Sequence, residues 1–361
     1  MTSILLAGGG TAGHVNPLLA VADAWRSDEP DAAIVVLGTA EGLEARLVPE
    51  RGYELATIPR VPFPRRPNAA ALRFPARFRE AVRITRQIIR DRQVDAVVGF
   101  GGYASAPAYV AARAEKVPFV VHEANARPGI ANRLGGWLGG RVATTFPGTP
   151  MRRAELVGMP LRREIVDLDR RAARPEALAY FDLSDDRPVL LVTGGSTGAR
   201  SINQTIAESA PAILGAGWQL VHITGRDRGG VDPGLPGYRV VEYCDRMDLA
   251  LAAADLVVCR SGAATVTELG AVGLASVLVP YPVGNGEQRL NARELVEAGA
   301  ALLIDDAAFT PAWVTETLIP LLTGRAEIAR MTAAAASVGR RDAASAMVRL
   351  AREAIVAGGV G

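Results

Sequence analysis

Short runs of Val, Ile and Leu recur along the chain, each followed by a Gly-rich or polar turn and then by an Ala-rich segment of helical period. This alternation predicts strands joined by helices, as in a parallel α/β sheet. The runs are apolar almost throughout, as expected for strands covered by helices on both faces. A first series of predicted strands comprises 4–7, 33–37, 96–100 and 118–122, and a second comprises 189–193, 220–224, 239–243, 256–259 and 276–279.

The stretch from about 158 to 187 interrupts this pattern, because it is rich in Arg, Asp and Pro and has no long apolar run. It is the natural place for a linker and a domain start. We therefore predict two doubly wound, parallel-sheet domains of Rossmann-like type, over residues 1–160 and 161–340. Ligands of open α/β sheets bind outside the carboxyl ends of the strands, so two such domains facing each other would enclose a cleft.

Composition and charge disfavour several classes of protein, among them nucleic-acid-binding, secreted and membrane-spanning proteins. A chain of 361 residues with a formal net charge of +2, 22% charged and 49% hydrophobic residues is typical of a globular protein and shows no global signature of nucleic-acid binding. Cys244 and Cys259 have no partner Cys or His at metal-ligand spacing, so neither a disulfide framework nor a zinc site is indicated. The N-terminus lacks the features of a secretory signal, and no apolar run reaches the roughly 20 residues that span a bilayer. We expect a cytoplasmic protein.

Gly-rich turns follow three of the predicted strands, at 8–13, 99–105 and 194–200. Glycine lets the backbone approach an anion, and the N–H groups at a helix start stabilise negative charge. The first turn is predicted to open a helix with Pro17 in its first turn, and the second to precede a helix that begins near Pro107. A dinucleotide fingerprint is disfavoured, because the spacing is not G-x-G-x-x-G and Leu37 is followed by Gly38 instead of an acid.

A fourth strand end, at Cys259, runs directly into a predicted helix that carries Glu268 in its second turn. A phosphate at the start of this helix and a ribose diol at Glu268 would be about a nucleoside's length apart, given the rise of about 1.5 Å per residue. The segment is therefore a candidate nucleotide site.

Six motifs occur in the order and at roughly the separations found in MurG-type N-acetylglucosaminyltransferases, a family that the chain closely resembles from about residue 4 to 300. They are GGGTAGHVNP, GFGGYAS, HEANARPGIANR, GGSTGARSIN, CRSGAATVTELGAVG and GNGEQRLNA. The resemblance implies the GT-B architecture, in which two Rossmann-like domains face across a cleft, the first binding the acceptor and the second UDP-GlcNAc. By analogy with GT-B folds, a C-terminal helix within 341–361 completes the first domain.

The resemblance also implies a reaction. GlcNAc passes from UDP-GlcNAc to the 4-hydroxyl of the muramic acid in lipid I (undecaprenyl-pyrophosphoryl-MurNAc-peptide), with inversion at the anomeric carbon, which gives lipid II and UDP in peptidoglycan biosynthesis. Carried over by position, the family's donor-binding residues are Thr11, Ala12, Gly13, Asn125, Arg162, Ser196, Cys244, Ala263, Ala264, Thr265, Val266, Thr267, Glu268 and Gln288.

The chemistry of several of these residues fits a nucleotide sugar. Arg162 and Ser196 can contact phosphate oxygens, and Glu268 can accept hydrogen bonds from both ribose hydroxyls. Cys244 would read the uracil edge through its backbone, with Tyr243 stacked nearby. Arg162 has a simpler alternative role, which is to pair with an acid in the linker.

A single displacement needs a base for the attacking hydroxyl and stabilisation of the departing UDP. We assign the base to His14, because it follows a strand end of the first domain and imidazole titrates near neutrality. His122 and Glu123 end another strand of that domain and are the alternatives, while His14 could instead only cap the helix or contact phosphate. The helix start at 262–265 and Arg162 would stabilise the diphosphate.

No metal or cofactor is predicted besides the donor substrate. No D-x-D pair lies near the nucleotide motifs, and Asp185, Asp186, Asp305 and Asp306 look like loop acids. We therefore expect metal-independent turnover.

Arginines crowd the segment from residue 60 to residue 92, with Phe63, Leu72, Phe74 and Phe78 interleaved and few acids. A basic amphipathic surface of this kind can dock on anionic lipid, which a lipid-borne acceptor requires. An ordinary solvated helix is the alternative, and Pro75 argues against one continuous helix. The arginines are Arg65, Arg66, Arg73, Arg77, Arg79, Arg83, Arg86 and Arg90, and Trp137 with Leu138 could add a second contact.

We accordingly expect a peripheral enzyme at the cytoplasmic face of the bacterial plasma membrane. Its expected partners are UDP-GlcNAc, lipid I and an anionic membrane surface, with other enzymes of cell-wall synthesis as further candidates and no nucleic acid. Three other functions stay open: a different GT-B glycosyltransferase, a UDP-sugar epimerase of the same fold, and a nucleotide-sugar sensor without catalysis. The first of these would share the nucleotide motifs but not the loops GGGTAGHVNP and GFGGYAS.

Overall fold

The structure is a computed structural model that describes residues 1–64, 69–195, 197–226 and 232–358, with side chains omitted for 69–71. It divides into two compact units, Met1–Arg162 with Arg341–Gly361 and Arg163–Arg340. Each unit is built on one sheet, of seven strands in the first unit and six in the second, and all the described strand pairs are parallel. The predicted α/β class with two parallel sheets is confirmed.

The first unit alternates strands and helices. Its strands are β1 (Ser3–Ala7), β2 (Ala33–Gly38), β3 (Glu54–Thr57), β4 (Ala96–Gly99), β5 (Phe119–Glu123), β6 (Arg141–Thr144) and β7 (Ala154–Leu156), in the order β3-β2-β1-β4-β5-β6-β7. Its helices are α1 (Ala12–Asp28), α2 (Glu44–Glu50), α3 (Ala69–Asp91), α4 (Gly102–Glu115) and α5 (Ile130–Trp137). The order reverses beside β1, so the loops after β1 and β4 meet at a topological switch point, where ligands of such sheets bind.

Adjacent residues of β1 enter two different cores. Ile4 and Leu6 lie in a cluster with α1, whereas Leu5 and Ala7 lie in a cluster with α3 and α4. Because side chains alternate between the faces of a strand and both faces are covered, the strand needs apolar residues at every position.

The second unit repeats the design with a six-stranded sheet in the order β10-β9-β8-β11-β12-β13. Its strands are β8 (Val189–Thr193), β9 (Gln219–Ile223), β10 (Tyr238–Val241), β11 (Leu256–Cys259), β12 (Ser276–Leu278) and β13 (Ala301–Leu303). Its helices are α6 (Arg163–Val166), α7 (Arg170–Tyr180), α8 (Arg200–Gly215), α9 (Met247–Ala253), α10 (Ala263–Val272), α11 (Glu287–Asn291), α12 (Arg293–Glu297), α13 (Pro311–Trp313), α14 (Ile319–Thr323) and α15 (Arg325–Val338), with a π-helical turn at Val314–Leu318.

The final helix, α16 (Ala343–Gly358), belongs to the first unit. Met347, Val348 and Leu350 are buried in the same cluster as Trp25 of α1. Two ion pairs flank this contact, Arg352 with Asp28 at 3.3 Å and Arg141 with Glu353 at 2.8 Å. None of the described helices is long and apolar enough to cross a membrane.

Three helices differ from their predicted limits. α1 begins at Ala12, so Pro17 lies in its second turn and not in its first. α4 begins at Gly102 and contains Pro107, which is not near its start, and α3 runs without a break through Pro75. Each proline removes one backbone hydrogen bond, and burial of the helix face against the sheet offsets that loss. The predicted linker also folds, since it contains α6 and α7.

Candidate active site

The Gly-rich turns after β1 and β4 lie side by side, because the two strands are neighbours in the sheet. Gly102, at the start of α4, packs so closely on Gly9 that a Cβ there would overlap the Gly9 carbonyl oxygen. The starts of α1 and α4 therefore border one cavity of about 350 Å³. Its lining residues are Gly9, Gly10, Thr11, His14, Thr39, Glu41, Gly42, Arg60, Gly102 and Tyr103.

His14 is the third residue of α1, and its imidazole lines this cavity. Nδ1 lies 3.1 Å from the Gly9 carbonyl oxygen and 3.2 Å from Thr11 Oγ1. Because a carbonyl oxygen only accepts, Nδ1 carries the proton and Nε2 keeps its lone pair. Burial lowers the pKa of His14 below its ordinary value of 6.5, although the Gly9 hydrogen bond and the charges of Glu123 and Glu44 act in the opposite direction. His14 is thus neutral at neutral pH, the state that a general base requires.

Glu123, the first alternative base, is buried and accepts hydrogen bonds at both carboxylate oxygens. Its carboxylate accepts hydrogen bonds from the N–H groups of Asn125 and Gly129 and from the Asn132 side-chain amide, each at 2.9 Å. These contacts hold the loop between β5 and α5. The structure argues against Glu123 as the base, because both of its oxygens already serve this loop.

His122, the second alternative, has no solvent exposure. Its Nε2 lies 2.9 Å from the Gly158 carbonyl oxygen, and its ring packs against Phe100 with centroids 5.7 Å apart. Burial lowers the pKa of His122 to about 4. The side chain is inside the core, out of reach of a substrate, so His14 is the best placed of the three candidates.

The second unit has a cavity of about 670 Å³ at the ends of the neighbouring strands β8 and β11. The starts of α8 and α10 border it. Gly198 fits only as glycine, because its φ is +68° and a Cβ would overlap the Thr224 carbonyl oxygen. The lining residues are Gly194, Gly195, Thr197, Gly198, Ala199, Arg200, Ser201, Gln204, Arg260, Gly262, Thr265, Tyr281, Pro282, Gln288 and Asp306.

Arg260 and Asp306 form a mostly buried ion pair at 2.5 Å in the wall of this cavity, with side chains 11% and 18% exposed. Arg260 also donates to the carbonyls of Val279 and Pro280 and to Ser201 Oγ, each at 3.1 Å. Ser201 Oγ in turn donates to Asp306 at 2.6 Å. Asp306 lies in a loop, as predicted, and its carboxylate additionally orients the arginine in the cavity wall.

The predicted donor residues of α10 fall into two groups. Ala263 and Val266 are buried, so they can contribute little beyond their backbone, and the Thr267 hydroxyl donates to the Ala263 carbonyl at 2.8 Å. Thr265 lines the cavity, and Glu268 is half-buried in the second turn of the helix. Ala264 is half-buried as well.

Gln288 lines the same cavity from α11. Its Oε1 accepts from the Tyr281 N–H at 2.9 Å. The amide is thereby oriented so that its NH2 group remains a donor for a ligand.

Cys244 is buried, and burial raises the pKa of its thiol to about 11. It is therefore protonated and suited to act only through its backbone. The guanidinium of Arg226 lies over the ring of Tyr243, 4.1 Å from the centroid, on a face where a uracil was expected to stack. Ser196 lies outside the described residues, so its predicted phosphate contact stays a prediction.

The remaining predicted donor residues lie in the first unit. Thr11 is exposed at the N-cap of α1, and Ala12 and Gly13 form the first turn of that helix. Asn125 is half-buried in the loop after β5, and Arg162 is half-buried at the end of the unit's first segment.

Sequence reasoning missed Arg60, Tyr103 and Glu44. The Arg60 guanidinium lies 4.6 Å from the centroid of the Tyr103 ring and donates to its hydroxyl at 3.1 Å, at the mouth of the first cavity. Glu44 accepts from the Gly10 N–H at 2.8 Å. These partners are 43 and 34 residues apart in the chain, and no local pattern signals either contact.

In the part of the chain that the structure describes, no group of three or more His, Cys, Asp or Glu side chains is arranged to hold a metal ion.

Comparison with known proteins agrees with the motifs. Residues 4–144 match the glycosyltransferase family 28 N-terminal domain, and residues 189–347 match its C-terminal domain. The UDP-N-acetylglucosamine–N-acetylmuramyl-(pentapeptide) pyrophosphoryl-undecaprenol N-acetylglucosamine transferase of Leifsonia xyli subsp. xyli is 62% identical, over 99% of this chain and 100% of the relative. The transferase of the same name from Clavibacter sepedonicus is 60% identical, over 98% and 97%.

Among solved structures, MurG of Acinetobacter baumannii superposes with a TM-score of 0.78 and 27% sequence identity, over 98% of this chain and all of that one. The resemblance drawn from the six motifs and the predicted GT-B fold class are confirmed. The chain belongs to glycosyltransferase family 28 and, within it, to the MurG family.

Proposed function

We propose that the protein transfers GlcNAc from UDP-GlcNAc to the 4-hydroxyl of the muramic acid in lipid I, giving lipid II and UDP. The observation that carries the proposal is the 62% identity, over 99% of the chain, to a transferase with this donor and acceptor in its name. The neutral His14 in the first unit and the cavity between two helix starts in the second unit support it.

On the acceptor side, the 4-hydroxyl oxygen attacks C1 of GlcNAc from the face opposite the UDP oxygen. The new C1–O bond forms while the bond to UDP breaks, and its electron pair leaves on the diphosphate. The hydroxyl proton passes to His14 Nε2, the ring nitrogen that carries the lone pair. One displacement therefore converts an α-linked sugar into a β-linked one.

On the donor side, the growing charge on the diphosphate is stabilised by the N–H groups at the start of α10 and by Arg162. Glu268, in the second turn of α10, accepts hydrogen bonds from the two ribose hydroxyls. Gln288 donates its NH2 group to a sugar hydroxyl. Backbone N–H groups and a cation thus bind the diphosphate, a carboxylate binds the ribose, and an amide binds the GlcNAc sugar.

Turnover is expected to be independent of divalent metals, because helix starts and an arginine supply the charge that a metal would otherwise supply. Activity in millimolar EDTA should stay within about twofold of the untreated rate. A loss that added Mg²⁺ or Mn²⁺ restores would overturn this assignment. The same EDTA-treated sample, assayed after desalting, controls for slow inactivation.

The site of action is proposed to be the cytoplasmic face of the plasma membrane, reached by peripheral binding to anionic lipid. Arg73, Arg77 and Arg83 are exposed along α3, whereas Arg86 and Arg90 pair with Glu115 at 2.5 and 2.8 Å and contribute less. Arg65 and Arg66 lie outside the described residues. Other cell-wall enzymes at the same surface remain candidate partners.

The apolar part of this surface differs from the predicted one. Phe74 and Phe78 stack with ring centroids 5.6 Å apart and pack on the core of the first unit. Leu72 and Trp137, in contrast, are 85% and 81% exposed, on the two helices that flank α4. Membrane contact is therefore proposed for Leu72 and Trp137 and not for the two phenylalanines.

Replacing Leu72 and Trp137 together by serine should lower the partition coefficient on phosphatidylglycerol vesicles, measured by flotation, by roughly 30-fold, because each exposed side chain contributes on the order of 1 kcal/mol on insertion. Val356→Ser is the matched control, since Val356 is 69% exposed on α16 of the same unit. Equal flotation of the double variant, the control and the wild type would remove this surface from the proposal.

The activity itself is tested with purified protein, labelled UDP-GlcNAc and a short-chain lipid I, following UDP release and labelled disaccharide lipid. Product that depends on the acceptor is expected. If UDP-GlcNAc binds and is epimerised or hydrolysed without any disaccharide, the acceptor assignment fails while the donor site survives.

A further inference from the structure

A buried carboxylate lies directly beneath the first Gly-rich turn. Glu44, the first residue of α2, has no solvent exposure. Its Oε1 accepts from the N–H and the hydroxyl of Thr39 at 2.9 and 2.8 Å, and its Oε2 accepts from the Gly10 N–H at 2.8 Å. The side chain therefore joins the loop after β2 to the loop after β1.

The shape of both loops is adapted to this carboxylate. A Cβ at Gly9 or at Gly42 would overlap the Glu44 oxygens, and the Gly10 φ of +89° favours glycine. Burial opposes ionisation of Glu44, but the hydrogen bonds from Gly10, from its own N–H and from Thr39 outweigh burial and hold its pKa below the ordinary value. Glu44 is a fixed negative charge at this position.

A single peptide group connects Glu44 to His14. The N–H of the Gly9–Gly10 peptide donates to Glu44 Oε2 at 2.8 Å, and the carbonyl of the same peptide accepts from His14 Nδ1 at 3.1 Å. A hydrogen bond to the N–H of an amide polarises the group and makes its carbonyl a stronger acceptor. The carboxylate, the peptide and the imidazole thus form one chain of hydrogen bonds.

We propose that Glu44 is a positioning residue that orients His14 and increases its basicity through the Gly9–Gly10 peptide. The arrangement reproduces the logic of an acid–histidine pair, in which the carboxylate holds the ring in the reactive tautomer, with a backbone amide interposed between the two side chains. The part of the inference that concerns turnover rests on the proposed function.

The charged groups around His14 determine the direction in which its pKa should move when Glu44 is neutralised. Glu44 on α2 and Glu123 at the end of β5 raise the pKa of His14, whereas burial lowers it. Burial and the charge of His14 lower the pKa of His122, also on β5, to about 4, so His122 is neutral at neutral pH. Removing the Glu44 charge should therefore lower the pKa of His14 further and weaken it as a base.

The test is Glu44→Gln, which keeps the shape of the side chain but loses its charge and one acceptor. The value of kcat should fall by roughly 10- to 100-fold, the range seen when partners that orient metal-binding histidines are lost, while KM for UDP-GlcNAc changes by less than about twofold. The acid limb of the kcat/KM profile should move to lower pH. Glu50→Gln is the matched control, because Glu50 is an exposed carboxylate at the other end of α2, paired with Arg46.

A readout without substrate separates this inference from the proposed function. The chain has only three histidines, so ¹⁵N-histidine labelling resolves the tautomer and titration of His14 in the free protein. The wild type should show the Nδ1–H tautomer, and Glu44→Gln should show a mixture of tautomers and a lower pKa. An unchanged His14 signal with wild-type kcat in Glu44→Gln would overturn the relay.

The test gives a result even if the Glu44→Gln variant does not fold. If Glu44→Gln loses its cooperative thermal transition, the wild-type spectrum alone decides, since an Nε2–H tautomer of His14 is incompatible with the relay. Absence of disaccharide product in the wild type would refute the proposed function and leave the spectroscopic result valid.

Discussion

Replacing His14 by alanine or glutamine will lower kcat by roughly 100- to 10,000-fold, the usual contribution of a positioned general base. Neither side chain can take the proton of the acceptor hydroxyl, so the attacking oxygen must leave that proton to water. Binding of UDP, measured by calorimetry, should change little, because the ribose and diphosphate contacts proposed above lie in the second unit and at Arg162. A variant that retains more than about a tenth of the wild-type kcat would reassign the base.

The pH profile provides an independent check on His14. The base acts in its neutral form, so kcat/KM should be constant at neutral pH and fall as the pH drops through the pKa of His14. Because burial lowers that pKa, the fall should occur below the ordinary value of 6.5. The variants at His14 should lose this limb, and a limb that persists unchanged in them would belong to another group.

Glu268→Ala is expected to raise the Kd for UDP by about 100-fold, or about 2.7 kcal/mol, because two charge-assisted hydrogen bonds to the ribose disappear. The effect should be smaller on kcat at saturating donor, since the ribose is distant from the bond that breaks. Competition by UDP and by 2′-deoxy-UDP measures the contact directly. The wild type should prefer UDP, and the variant should bind the two equally.

A charge control belongs with this experiment. Glu297→Ala removes an exposed carboxylate from α12 of the same unit and should leave both affinities unchanged. If Glu268→Ala still discriminates between UDP and 2′-deoxy-UDP, the ribose is held by another residue and the nucleotide must be oriented differently on α10.

The strands at the centre of each sheet could be predicted from the sequence, because their apolar runs reflect burial on both faces. β3, β6, β7 and β13 were missed; all four have only three or four residues, and β3, β7 and β13 are edge strands. β7, for instance, has two exposed residues among its three. An edge strand buries fewer of its side chains, so its sequence carries little of the pattern that identifies the others.

The limits of α1 and α4 were misjudged for a related reason. Proline penalises a helix through local backbone geometry, whereas Pro17 and Pro107 are themselves buried where the helices pack on the sheet. That gain comes from tertiary contacts, which a local pattern does not contain.

In the candidate site, too, residues within local motifs could be predicted, whereas residues that act through tertiary contacts could not. His14 could be proposed because it belongs to the motif that opens α1. The role of Asp306 could not, because its partner Arg260 follows a different strand, and Glu44 reaches Gly10 across 34 residues. In this protein the proposed base belongs to a sequence motif, whereas the carboxylates that orient the cavity residues come from distant parts of the chain.

The return of α16 to the first unit has a consequence for how the protein is made. At about 5 to 20 residues per second, a ribosome needs roughly 10 to 40 seconds to proceed from the end of β7 to α16. During this interval the apolar side chains of Ile4, Leu6 and Trp25 lack the neighbours that Met347 and Leu350 later provide. The unit that begins synthesis is thus the last to be completed, and the nascent chain offers chaperones an apolar face that the finished protein conceals.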